Sequence, residues 1–227
     1  INAAEDPWAS SAGADGWPFT CIDACPGATS AEPGPVAAAL VDSDDLWGSS
    51  DDALFAHLSP GTDAITLEAL IATPSSSAEE WAKACLAARA GVDPAAPYLA
   101  VCRPADDQRL RVQLRAAQGE DSDAIEQGPP AGLDDETPAF VRLERDAGGL
   151  CARGWGSADG AQWSLIAEHC FDAPLTHVGV AASGHGGPIR LLFVDLEATP
   201  GGPVHADDLG VVLLGDAAGE VVAGLGG

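Results

Sequence analysis

The chain has 227 residues and carries 35 acidic against 10 basic side chains, a net charge of −25, with Lys83 as its one lysine. That balance excludes general nucleic-acid binding by phosphate neutralisation and disfavours attachment to anionic membranes. No apolar run is long enough to span a bilayer as a helix, and the acidity reads as solubility in a salty setting rather than as calcium capture by surface carboxylates.

The length suits one large domain, and short strands separated by Gly, Pro, Asp and Ser clusters give the pattern of an all-β fold. Residues 1–16 read as an N-terminal arm. Numbering from Ile1, with no methionine and no basic leader, suggests a processed chain or a fragment. Loops are expected over residues 27–35 and 74–80, with a strand over residues 63–69 between them. Residues 78–90 look superficially helical, but the strand reading fits the cysteine spacing better. The next strand, residues 109–115, alternates without error. Residues 121–138, which include Gly128-Pro129-Pro130, are expected to form a long exposed loop. Strands follow at residues 141–145, on either side of the Asp159-Gly160 turn, at residues 178–185, and at Phe193-Val194-Asp195. Residues 199–227 read as a tail or an extra edge strand built on residues 211–214.

Six cysteines allow fifteen connectivities. Cys85 and Cys102 flank the turn at residues 91–97 almost symmetrically, and Cys151 and Cys170 flank the Asp159-Gly160 turn in the same way. Cys21 and Cys25 then close a small loop. The rival reading is a metal site made of Cys21, Cys25 and a histidine, but no second short-spaced pair accompanies them. Disulfides imply an oxidising compartment, so the expected location is extracellular, periplasmic or at the cell surface.

Pairing Cys85 with Cys102 sets the sheet faces, because successive strand residues point to opposite sides. Leu86, Leu99, Val101, Leu110, Val112 and Leu114 go to the core. Arg89, Tyr98, Arg109, Arg111 and Arg115 gather on the other face, which places four of the nine arginines on one patch. As a recognition face it would use guanidinium forks for carboxylate or sulfate, with Tyr98 stacking on a sugar. The competing reading pairs these arginines with Glu120, Asp121 and Asp123 just downstream, and that internal neutralisation is the favoured expectation. Trp81, at a loop-to-strand junction, is the best candidate for an exposed stacking platform. Trp47 and Trp163 are expected to fill or seal the core, and Trp155 has two open placements, one on either face, because a bulge near Gly154 or Gly156 would shift the register.

The ordered series of segments resembles a known group. Ile22-Asp23-Ala24-Cys25-Pro26-Gly27, residues 45–51, residues 63–69, residues 81–89, residues 141–145, residues 157–163, residues 178–185 and Phe193-Val194-Asp195 together resemble bacterial concanavalin A-like lectin/glucanase (laminin G-like) sandwich modules. The resemblance spans residues 17–198 and implies a two-sheet antiparallel jelly-roll sandwich. It departs from the family pattern at Ala24, where glycine is usual, and at Cys85 and Cys102. It also implies a structural calcium ion near Asp195, although calcium's carbonyl ligands are not legible in sequence. His185 matches a histidine frequent at the end of this strand, where a turn or edge role is the default.

The chemistry of hydrolysis is missing. Sandwich hydrolases that retain configuration need two carboxylates about 5 Å apart, and no Glu-x-Asp-x-Glu strand occurs here. Ser183 and His185 lack both the nucleophile elbow and an orienting acid. The expected function is therefore a non-catalytic binding module for polysaccharide or surface glycan. The rival is a structural subunit that holds a protein partner through its N- and C-terminal arms, with a glycoside hydrolase third. Fold alone does not choose among them.

Overall fold

A computed structural model describes residues 19–23, 36–72, 81–105, 109–126, 139–200, 214–215 and 221–222. Side chains at residues 36–42 and 188–197 lie outside that description, as do the N-terminal arm, Cys25 and most of the tail.

The described residues form strands and connections without helix. In chain order the strands are β1 (Phe19–Ile22), β2 (Val36–Ser43), β3 (Ala53–Leu58), β4 (Ile65–Ile71), β5 (Lys83–Arg89), β6 (Tyr98–Pro104), β7 (Arg111–Arg115) and β8 (Asp123–Glu126). They continue as β9 (Ala139–Arg145), β10 (Cys151–Ser157), β11 (Ser164–Cys170), β12 (His177–Ser183) and β13 (Gly187–Pro200). Two-residue strands β14 (Leu214–Gly215) and β15 (Val221–Val222) pair with each other and join neither main sheet.

One sheet has seven strands, in the order β1-β3-β12-β5-β6-β7-β8, and the other has six, in the order β11-β10-β9-β4-β13-β2. Every pairing is antiparallel. The expected all-β sandwich of two antiparallel sheets is the observed fold.

Between the sheets lies the main core, where Leu86, Leu99, Val101, Leu110 and Val112 meet Leu67, Val141 and Leu143. The first five are inward residues that alternation predicts, and the sixth such residue, Leu114, is buried outside this cluster. The sheets approach so closely at Gly154 that a Cβ there would lie 2.4 Å from Val112 Cγ2 and 2.6 Å from Val101 Cγ2. The register of β10 against β11 shifts between Gly154 and Trp155, at one of the two glycines where a bulge would decide the face of Trp155.

Cys85 faces Cys102 and Cys151 faces Cys170, each pair joined by a disulfide, as hairpin symmetry requires. Cys21 is also disulfide-bonded, and its expected partner Cys25 lies outside the described residues.

The far side of the seven-stranded sheet is covered as well. A second apolar cluster forms there from Ile22, Leu46, Ala53, Phe55, Cys85, Ala87, Tyr98, Ala100, Cys102 and Ala181. Consequently β5 and β6 are buried along their whole length.

Candidate functional site

The covering element on that far side is a strap, residues 43–52, that leaves β2 and crosses the outer face before entering β3. Leu46 plugs into the second cluster with no exposed surface. Asp51 anchors the other end. Its carboxylate accepts from Arg89 Nη1 at 2.7 Å and from Arg115 Nη1 and Nη2 at 2.9 and 2.6 Å, with all three side chains fully buried. Two guanidiniums share one carboxylate, and backbone carbonyls accept further N–H groups from both. Arg89 donates to Gly91 O and Asp93 O, and Arg115 donates to Gly48 O, Pro94 O, Ala96 O and Glu120 O. The two guanidinium carbons also lie 5.3 and 5.1 Å from the Tyr98 ring, within cation–π reach. Burial, and then the nearby Asp51 charge, push the Tyr98 hydroxyl up from its usual pKa.

These contacts correct the recognition-face expectation. Arg89, Tyr98 and Arg115 share the predicted face, but that face is sealed at their end and a ligand does not reach them. The arginines are neutralised internally, by Asp51 from the distant strap and not by the carboxylates of Glu120, Asp121 or Asp123. Only the backbone carbonyl of Glu120 takes part. Arg109 lies before β7 and is exposed.

At the opposite end of the same face the strap leaves an opening of about 390 Å³, lined by Asp45, Trp47, Trp81, Lys83, Pro104, Arg111, Gln113, Ala124 and His185. Alternation explains the floor. Lys83 begins β5 and is on the same face as Cys85, Pro104 ends β6, and Arg111 and Gln113 are two of the three outward residues of β7.

The walls come from the strap and from the turn between β12 and β13. Trp47 is 40 % exposed and Trp81 is 37 % exposed, so each offers ring surface at the opening. The Arg111 guanidinium lies 4.4 Å from the Trp81 ring centre, and Lys83 Nζ lies 5.8 Å from that of Trp47. Trp81 is thus exposed at its loop-to-strand junction, with Arg111 beside it. Trp47, expected in the core, lines the opening instead. Trp163 is half-buried against Arg142 at 4.0 Å on the six-stranded sheet, outside both apolar clusters.

Asp45 organises the polar wall. It pairs with Lys83 Nζ at 2.8 Å, accepts from Ser183 Oγ at 3.3 Å, and lies 3.8 Å from His185 Nε2. Burial lowers the Lys83 pKa, with Asp45 opposing that shift. Ser183 thus donates to Asp45, the carboxylate that also lies beside His185. His185 occupies the left-handed backbone region at φ 53°, in the turn role expected of it.

Among the described residues no group of three or more His, Cys, Asp or Glu side chains is placed to hold a metal ion. Asp195 falls within β13, and its side chain lies outside the described residues.

No family model matches the chain, and no curated protein matches it by sequence. Solved structures do. A functionally unknown protein from Saccharomyces cerevisiae superposes with a TM-score of 0.62 at 18% identity, covering 82% of this chain and 97% of that one. A GH43 protein from Bacillus licheniformis gives a TM-score of 0.50 at 12% identity over 80% of this chain, although the match spans only 39% of that longer protein. The likeness is one of fold. At such identities it transfers no residue and no activity, so the function has to be argued from the opening itself.

One feature of this site was within reach of sequence reasoning and was missed. Lys83 has the parity of Cys85, so the lone lysine belongs to the same face as the arginines. Gln113, between Arg111 and Arg115, is outward by the same alternation. Trp47, Asp45 and His185 gave no such signal, because nothing local tells that a strap and a distant turn converge on that face.

Proposed function

We propose that this chain is a non-catalytic, extracellular carbohydrate-binding module of the concanavalin type, and that its ligand occupies the opening between Trp47 and Trp81. The observation that carries the reading is the composition of that opening: two half-exposed indoles beside a cluster of directional polar groups, Asp45, Lys83, Arg111, Gln113 and His185. Sugars present apolar C–H faces and a rim of hydroxyls, which this pairing of ring surface with donors and acceptors matches. A volume of about 390 Å³ falls within the range of small-ligand sites and suits one or two sugar units. Among the described residues that line the opening Asp45 is the one carboxylate, whereas acid–base glycoside hydrolysis uses two, and this favours binding over cleavage. The Cys85–Cys102 and Cys151–Cys170 disulfides support an oxidising, extracellular setting.

A glycan array at controlled calcium concentration tests the reading. Trp47→Ala and Trp81→Ala should each abolish array binding while shifting stability by no more than roughly 0.5–1 kcal/mol, as expected for partly exposed side chains. Undiminished binding by the double variant would remove this opening as the site. Release of reducing ends from a bound glycan would overturn the non-catalytic reading.

A further inference from the structure

We infer that Asp51 and Arg115, neither of which lines the opening, are positioning residues that preorganise Trp47 for its ligand; the inference rests on the carbohydrate-binding reading above. Trp47 sits in the strap between Leu46 and Gly48, and the carbonyls of both neighbours are tied down to the sheet. Leu46 O accepts from Gln113 Nε2 at 3.1 Å. Gly48 O accepts from Arg115 Nε and Nη2 at 3.1 and 2.8 Å, from Ser122 Oγ at 2.9 Å and from Ser122 N at 2.9 Å.

Arg115 is itself held in a single orientation by the two oxygens of Asp51, four residues further along the same strap. The strap adds two internal ties, Asp52 N to Asp45 O at 2.8 Å and Asp44 N to Asp52 Oδ2 at 3.1 Å. Thus one guanidinium grips the strap at two points, a side-chain carboxylate and a backbone carbonyl next to Trp47.

The physical consequence is entropic. An exposed indole on a loose loop would have to be ordered when a sugar stacks on it, and that cost is subtracted from affinity. Here the ordering is done in the free protein by buried, charge-assisted hydrogen bonds, which are the stronger kind. Lysine in place of Arg115 would keep the charge but not the fork, so it cannot hold Asp51 and Gly48 together.

The test separates the strap from the ligand. In protein labelled with 5-fluorotryptophan, the six tryptophans give fluorine signals, and that of Trp47 is assigned by its loss in Trp47→Phe. Arg115→Lys should broaden or split the Trp47 signal while that of Trp163, packed on Arg142 of the other sheet, keeps its width. An unaltered Trp47 signal in folded Arg115→Lys overturns the inference. If that variant does not fold, Ser122→Ala decides by the same readout, since it removes a donor to the same carbonyl without touching a charge.

Native gels cast with laminarin, xylan or polygalacturonate supply the binding arm. The variant should be retarded with an affinity roughly three- to tenfold weaker than the wild-type protein. If no polysaccharide retards the wild type, the carbohydrate reading fails, and the fluorine spectrum still decides whether Asp51 and Arg115 position Trp47.

Discussion

Replacing Asp51 with Asn tests which acid neutralises the buried arginines. The substitution keeps the shape of the side chain and removes the only carboxylate found, among the described residues, between Arg89 and Arg115, both of which are fully buried. Removing one partner of a buried ion pair costs about 3–5 kcal/mol, because the remaining charge stays in a poorly solvating place. Carbonyls around both guanidiniums soften the loss, whereas two cations left facing each other deepen it, so the middle of that range is the expectation. For a domain of this size 1 kcal/mol corresponds to roughly 2–4 °C, which gives a melting temperature lower by about 10 °C. Urea unfolding with the disulfides intact measures it, as a lower midpoint at an unchanged slope. Glu120→Gln, Asp121→Asn and Asp123→Asn alter exposed side chains and should each stay within about 0.5 kcal/mol of the parent. Arg115→Ala should likewise destabilise, while Arg111→Ala, at the opening, should act on binding. A stable Asp51→Asn protein, beside a destabilised Glu120→Gln protein, would refute the assignment of the counter-charge.

Three further outcomes are expected. Gly154→Ala places a methyl inside the contact distance of Val101 and Val112 and should cost about 1–3 kcal/mol by overpacking; Val112→Ala in the same chain should recover part of that in a urea double-mutant cycle, and strict additivity would show that the sheets simply move apart. The His57 pKa is pushed down to about 4 by burial and then by the facing His177, so the unfolded chain binds the proton more readily: stability is highest above pH 6.5, falls as pH drops from there to about 4, and levels off below. The loss should be smaller in His57→Gln, and equal losses in the two proteins across that window would rule the imidazole out. A calcium ion near Asp195 is a separate proposal, for which EDTA should lower the melting temperature and added calcium restore it; a transition indifferent to both removes the ion from the account.

What the sequence by itself determined was local and periodic. Alternation along residues 109–115, the symmetric flanks of Cys85 with Cys102 and of Cys151 with Cys170, and the Asp159-Gly160 turn set strands, register and the sharing of faces. Hairpin neighbours are close in sequence, so spacing alone brings them together. That is why Arg89, Tyr98, Arg111 and Arg115 were placed on one face correctly. Parity says which side chains share a face, but not what lies over it. The covering strap reaches Arg115 from 64 residues away and Arg89 from 38. It divides one predicted face into a sealed end, where the arginines serve stability, and an open end, where Trp47 and Asp45 join Trp81, Lys83 and Arg111. The placement of Asp51 between two guanidiniums is a contact of tertiary structure, made because a buried cation must find a counter-charge from wherever the chain can supply one.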